Sequence, residues 1–380
     1  MVISRRSLLA GFALCLGALA AFGDKEADLP SGIDHQIRSL MVKNNVPGLG
    51  FGYIRGGRIT CVAAFGLADR AARRPMTPDT VFNLASVSKV VTGTALMQLW
   101  EAGSFDLDAP IQPHLDFTVV NPRHPGPISF RDLFTHTSSI SDQNYRGFIR
   151  PGDPTIPLRD FLVGYLSPGG RWYTPDGSFT DQKPGARFLY SNVGISLAGY
   201  LAERMSNQSL KTLATEKIFD PLGMAPVGWT LAALGSVPMA TPYNQVDGKL
   251  IPIAPIGYPD WPAGLLRTST RAITTLIVAY ANGGEFLGRR ILRNRTIKTM
   301  ITPIAPPLLP QGHICAQGLF WEEFQISRPR IFGKSGTDSG AHNLVAFDPQ
   351  TSNGAVVLTN RSANTTFNHA LLNLIEIAVA

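Results

Sequence analysis

Ser86-Val87-Ser88-Lys89 opens a run that stays apolar as far as Glu101 and stops at Gly103. Residues three apart on a helix share a face, so Lys89 can reach Ser86, whereas Ser88 stands at the wrong separation. Val90, Val91, Thr94, Ala95, Leu96, Met97, Leu99 and Trp100 leave the run almost no polar side, which predicts a buried helix. A lysine at the head of such a helix is costly unless it is exposed or paired. The helix start also supplies unbonded N–H groups and a partial positive charge, suited to an oxyanion. An amine held near cations or polar donors becomes neutral enough to take a serine proton. The same four residues also fit a capping serine beside a snorkelling lysine, so the pair alone does not separate catalysis from capping.

Two further groups bear on that choice. Tyr190-Ser191-Asn192 lies on a loop directly before a predicted helix, where side chains project into a cleft, and a tyrosine hydroxyl near a lysine can relay a proton. A second Tyr-x-Asn, Tyr280-Ala281-Asn282, ends the amphipathic run TTLIVAYANGG beside the C-cap glycine Gly283, and it reads as core and helix end. Lys334-Ser335-Gly336 falls on a predicted strand, where glycine lets a substrate backbone lie against the edge.

The elements that must hold these groups follow from periodicity. Ile33, Ile37, Leu40 and Met41 predict a helix over residues 32–44, broken at Pro47-Gly48. Two strands follow around a Gly56-Gly57 hairpin turn. Near the other end, RIFGKSG, NLVAFD and GAVVLTN read as strands, and a closing helix is capped by Asn364 or Thr365. The expected fold is α/β of the α+β kind: an antiparallel sheet from both chain ends (24–80 and 310–380), flanked by terminal helices, with a mainly helical domain inserted at 81–309. Two long aromatic, Pro/Gly-broken loops within 141–185 suit cleft walls.

The 44% hydrophobic and 16% charged content of the 380 residues describe a chain with a substantial core. The formal charge is +7, or +5 once Arg5 and Arg6 leave with an N-terminal signal. It reads as spread along the chain without interleaved aromatics, which argues against nucleic acid as a partner. SRRSLLAGFALCLGALAAFG has the order of an export signal, with a twin-arginine character, cleaved after Ala20 or Gly23. Residues 1–23 are thus expected to engage twin-arginine or Sec machinery and deliver a periplasmic or secreted protein, or an inner-membrane anchor if uncleaved. Cys15 makes a poor lipoprotein box, and Cys61 and Cys315 read as buried thiols, with pairing in an oxidising compartment the alternative and His313 standing alone beside Cys315.

Ser-x-x-Lys, Tyr-x-Asn and Lys-[Ser/Thr]-Gly, in that order, resemble the signature of the serine β-lactamases and penicillin-binding peptidases. The tyrosine in the second motif resembles the class C β-lactamase branch, with its D-alanyl-D-alanine carboxypeptidases, D-amino-acid peptidases and amidases, and family VIII carboxylesterases. VPGLGFGYIRGGRI, MTPDTVFNLASVSK, ISFRDLFTHTSSI, PLGM and PAGLLRTSTRAI extend the likeness over residues 32–362. The resemblance implies Ser86 as nucleophile, Lys89 as base or proton relay, and Tyr190 as activator of Ser86 and proton donor to the leaving group. It implies Asn192 on the substrate amide, Lys334 on a substrate carboxylate with Ser335 assisting beside Gly336, and backbone N–H groups of Ser86 and Thr337 as the oxyanion hole. No metal or organic cofactor is implied, and the expected partner is a small-molecule or peptide substrate, including cell-wall fragments. The expected reaction is cleavage of an amide, β-lactam or D-amino-acid peptide, through a serine ester. A carboxylesterase, an acyltransferase and a slowly deacylating penicillin-binding protein are the alternatives. Ser139 stands in THTSSI where the group usually carries glycine, so that turn is expected to differ slightly, and His136 reads as structural. The 104 residues from Ser86 to Tyr190 exceed the spacing of compact class C enzymes and approach that of the esterases and D-peptidases. Asp338 and His342 are candidates to line the cleft.

Overall fold

A computed structural model describes residue 29 and residues 32–304, 314–327 and 330–380. The proposed signal, Cys15 and His313 lie outside them. Ile33, Ile37 and Leu40 recur at helical spacing and are buried on one side of helix α1, Ile33–Lys43. Strands β1 (Gly48–Arg55) and β2 (Arg58–Asp69) follow, joined at Gly56 and Gly57, whose φ values of 49° and 74° suit the turn of a tight hairpin. The sheet is completed by β3 (Arg74–Pro75), β4 (Ile314–Gln317), β5 (Glu322–Phe324), β6 (Phe332–Asp338), β7 (Ala341–Asp348) and β8 (Asn353–Thr359). The order is β4-β5-β6-β7-β8-β1-β2-β3 and every pairing is antiparallel. Cys61 in β2 and Cys315 in β4 therefore lie toward opposite ends of the sheet.

β1 shows how sequence sets the layers. Gly48, Gly50 and Gly52 alternate with Leu49, Phe51 and Tyr53, so the glycines share one face and the large residues the other. The large residues enter a core with α1 and the closing helix α5, Thr365–Val379, whose cap is Asn364 accepting from the Phe367 N–H at 2.8 Å. On the other face, a side chain at Gly50 or Gly52 would run into Thr270 or Thr274 of helix α4, Thr270–Ala281. That helix sits so close that only glycine fits beneath it. Although it comes from the middle of the chain, it packs on β1, β2, β7 and β8 and completes the sheet layer. It contains Tyr280, buried on Thr94 and Trp321, while Asn282 follows the helix end and bonds the Gly57 carbonyl at 2.7 Å.

The other layer is helical. Helix α2, Ser88–Glu101, is buried from Ser88 through Met97, and α3, Asn192–Ser206, packs against it. Arg289, Arg290, Arg293, Arg295 and Lys298 are all exposed, with Arg290 paired to Glu285 and Arg293 3.9 Å from Glu101. Among the described residues no helix is long and apolar enough to cross a membrane.

Candidate active site

Ser86 was expected in the first turn of an α-helix. It occupies instead a single 3₁₀ turn, Ala85–Val87, and the α-helix begins two residues later. Ala85 adopts a left-handed φ of 49°, a strained conformation for a residue with a Cβ, which lifts Ser86 out of the helix. Ser88 pins this turn from beneath: its buried hydroxyl donates to the Ala85 carbonyl at 2.6 Å and accepts from the Leu266 N–H at 3.0 Å. Ser86 itself is only partly buried.

Lys89 has 0% exposure and three neighbours within bonding distance. Its Nζ lies 3.0 Å from Ser86 Oγ, 2.7 Å from Asn192 Oδ1 and 2.7 Å from the Ala263 carbonyl. Burial first, and the Lys334 charge second, push the amine down to about 7. As a neutral amine it donates to Asn192 and Ala263 and turns its lone pair to the Ser86 hydroxyl. The Tyr190 hydroxyl is 2.7 Å from the same Oγ. Burial pushes this phenol up, well away from ionisation, so Tyr190 donates to Ser86 Oγ as the neutral acid. This geometry suits Lys89 to the part of a base and Tyr190 to that of a proton donor.

Tyr190 is fixed by its stack on His136, at 4.4 Å between ring centroids. His136 accepts the Ser191 N–H on Nδ1 at 3.1 Å and is held neutral by burial, with Lys334 and Lys89 adding to the effect. Ser191 caps α3, and Asp142 reaches the same helix start from the aromatic loop. Its oxygens accept from Asn192 N at 2.6 Å, Val193 N at 3.1 Å and Ser191 Oγ at 2.9 Å. This double cap holds Asn192 with its Oδ1 on Lys89.

β5 pairs with only Phe332 and Gly333 of β6, so the outer edge of Lys334–Asp338 has no strand partner among the described residues. Ser335 is half-buried and Thr337 exposed along that edge, beside the Ser86 turn. Two expectations need correction. Gly336 is not bare for a substrate's sake, because a side chain there would meet the Leu84 carbonyl and Val87, the protein's own nucleophile turn. Lys334 is not presented to a substrate carboxylate: it has 0% exposure and its ammonium is already paired with Glu322, itself 2% exposed. The ammonium lies 5.1 Å from the Tyr190 ring centroid, within cation–π range of the ring.

At the Ser139 turn the serine has φ 64°, the left-handed region that favours glycine, and bears the strain of it. Its Oγ accepts from Asn121 Nδ2 at 3.0 Å. Asp338 takes bonds from the Tyr258 hydroxyl at 3.0 Å and the Ser339 N–H at 2.8 Å, while His342 is buried on β7 opposite Thr337, 3.0 Å from its Oγ1. Among the described residues no group of three or more His, Cys, Asp or Glu is placed to hold a metal ion.

Asp142, Glu322 and the Ala263 carbonyl escaped sequence reasoning. Asp142 caps a helix 50 residues away, which no local pattern announces. Glu322 did leave a signal, one of two adjacent acids inside the otherwise apolar GLFWEEF, where a buried charge demands a partner.

A family model described as Beta-lactamase matches residues 33–380. The esterase EstB of Burkholderia gladioli is 31% identical over 242 residues, covering 61% of this chain and 59% of EstB. The D-alanyl-D-alanine-carboxypeptidase/endopeptidase AmpH of Escherichia coli K12 is 26% identical over 307 residues, covering 77% of this chain and 74% of AmpH. The matched region thus spans under two thirds of EstB and about three quarters of AmpH. Among solved structures, the D-amino acid amidase of Ochrobactrum anthropi SV3, complexed with D-phenylalanine, superposes with a TM-score of 0.74 at 21% identity, over 92% of this chain and 99% of the amidase. The class C beta lactamase of Rhodobacter sphaeroides gives 0.68 at 24% identity over 92% of this chain and 99% of that one. These likenesses bear out the antiparallel sheet with helical layers.

Proposed function

This chain belongs to the beta-lactamase family, and we propose on that footing that it is a serine hydrolase that cleaves an amide, a β-lactam or a D-amino-acid peptide, through an acyl-enzyme on Ser86. One observation carries the reading: Ser86 Oγ sits between a buried amine at 3.0 Å and a phenol at 2.7 Å. Lys89 takes the Ser86 proton as Oγ attacks the carbonyl carbon. The N–H groups of Ser86 and Thr337 receive the oxyanion, each such donor contributing about 3 kcal/mol to the transition state. Tyr190 passes its proton to the departing nitrogen and is replenished by the Lys89 ammonium, so one proton has moved from serine to leaving group. Water then enters by the same route and releases the acid. Asn192 and the open edge of β6 hold the substrate on either side.

A second reading, hydrolysis of an ester without a carboxylate, is favoured by the Lys334–Glu322 pair, since a substrate carboxylate would have to compete with Glu322 for the ammonium. The likeness to EstB supports it as well. Nitrocefin, a D-Ala-D-Ala peptide and p-nitrophenyl butyrate separate the two, and turnover of the ester alone would sink the amide reading. Intact-mass measurement after a β-lactam distinguishes turnover from a persistent adduct. Ser86→Ala should abolish labelling by a fluorophosphonate, while Ser88→Ala keeps it and lowers thermal stability. The opposite result would move the nucleophile to Ser88. The arginine pair and apolar run at residues 1–23 support export to the periplasm or beyond, which fractionation of cells bearing an Arg5→Lys, Arg6→Lys variant tests.

A further inference from the structure

Asp338 takes no part in the proton transfers around Ser86, yet it stands beside them. Lys334, Gly336 and Asp338 share one face of β6, because side chains alternate along a strand. Gly336 lies against Leu84 and Val87 of the Ser86 turn, and Asp338, two residues on, meets the residue before Leu84. That residue, Asn83, accepts the Ala85 N–H on Oδ1 at 3.3 Å, while its Nδ2 lies 3.5 Å from Asp338 Oδ2, the limit of a hydrogen bond. On the other side, Asp338 Oδ2 accepts from the Tyr258 hydroxyl at 3.0 Å. The same hydroxyl sits against Gly264, where a Cβ would come within 2.2 Å of it, and Gly264 follows the Ala263 carbonyl that Lys89 bonds. The carboxylate is thus framed by the nucleophile turn and by the turn that anchors the amine.

Its charge lacks a counterpart. Oδ1 accepts from the Ser339 N–H at 2.8 Å within its own hairpin turn, and among the described residues no cation bonds either oxygen. The nearby cations are committed elsewhere. Lys334 is paired with Glu322, and Lys89 bonds Ser86, Asn192 and Ala263. Arg267 feels the Asp338 charge but donates to the carbonyls of Trp229 at 2.9 Å, Leu265 at 3.3 Å and Ile256 at 2.7 Å. Burial pushes the Asp338 carboxyl up, against the pull of its hydrogen bonds and of Lys89. Asp338 is still partly exposed, between Thr337 and Ser339, which both face solvent. A desolvated carboxylate open on one side gains most from a cation that arrives with a ligand. Tyr258 and Tyr145 stand edge to face at 6.2 Å on this side of the site, and aromatic rings beside an acid suit an alkylammonium.

We propose that Asp338 is a specificity-determining residue that receives an alkylammonium group of the substrate, so that Ser86 acts on an amide or ester carrying a positive charge near the scissile bond. This rests on the reading of Ser86 as the nucleophile. With Lys334 closed by Glu322, the charge left open along β6 is negative, and it selects for a cation where a free Lys334 would select for a carboxylate.

Two fluorophosphonates that differ in one arm provide the test, one arm ending in trimethylammonium and the other in the isosteric tert-butyl group. The readout is the ratio of their labelling rates, in which a general loss of reactivity cancels. Wild type should take the cationic probe about 10-fold faster or more at low salt. Asp338→Asn should bring the ratio to about 1, and Asp338→Ser does the same should the asparagine variant fail to fold. Asp34→Asn, which removes an equal charge from α1 on the far face of the sheet, should keep the wild-type ratio. A wild type that takes both probes equally, or an Asp338 variant that keeps the wild-type preference, overturns the proposal while sparing the Ser86 reading. A wild type that takes neither probe overturns that reading, and the proposal with it.

Discussion

Ser139 illustrates how much a single backbone angle decides. A residue with a Cβ in the left-handed region costs about 1–2 kcal/mol relative to glycine. The hydroxyl at this position offers modest compensation, because Asn121 Nδ2 has two other acceptors, the Thr180 carbonyl at 2.9 Å and the Gln182 carbonyl at 3.1 Å. Ser139→Gly should therefore be more stable than Ser139→Ala by about 1 kcal/mol in denaturant unfolding. Equal stability of the two would show that the turn relaxes and that φ is not the controlling quantity. The same scale holds the chemistry. Burial lowers the Lys89 amine and raises the Tyr190 phenol, so one physical cause pushes the two groups toward their neutral forms.

At the scale of elements, the strand edge and the nucleophile turn are parts of one contact. Gly336 of β6 lies under Leu84 and Val87, and a methyl group there would push the strand and the Ser86 turn apart. Gly336→Ala should reduce fluorophosphonate labelling by about 100-fold, because displacements near 1 Å carry that cost. Unchanged labelling would mean the strand can shift without disturbing the oxyanion donors. This contact also marks what the sequence could convey. The motif residues, the hairpin glycines, the apolar stripe of α1 and the cap of α5 were legible because each depends on neighbours close in the chain. Asp142, Glu322 and the pairing of Lys334 were not, because each acts across many residues on a partner that only the fold supplies. The alternating glycines of β1 were visible as a pattern, but their reason, a helix arriving from residues 270–281, was not.

For the whole molecule, buried titrating groups tie stability to pH. The folded pKa of Asp260, about 8, lies above its ordinary 3.8, so folding takes up a proton between those values. Stability on this account is undiminished at acid pH and falls as pH climbs through that window. Lys89 works in the opposite sense, since its folded value of about 7 lies below 10.5 and stability recovers as pH rises between them. Asp260→Asn removes the first contribution and leaves the second in place. The melting temperature of the variant, relative to wild type, should therefore be more favourable at about pH 9 than at about pH 5. Parallel melting curves at the two pH values would mean that Asp260 titrates alike in the folded and unfolded chains.

The sheet joins its two halves at its middle: β8 pairs with β1, from Leu49 opposite Thr359 to Ile54 opposite Gly354. A ribosome delivers those partners about 300 residues apart, at an ordinary rate of about 5–20 residues per second. For most of its synthesis β1 therefore waits with one edge unpaired, and the last strand to emerge is the one that closes the centre of the sheet. A chain stopped short of Asn353 would lose the seam holding its first strands to its later ones, even with Ser86, Lys89, Tyr190 and Lys334 all already made.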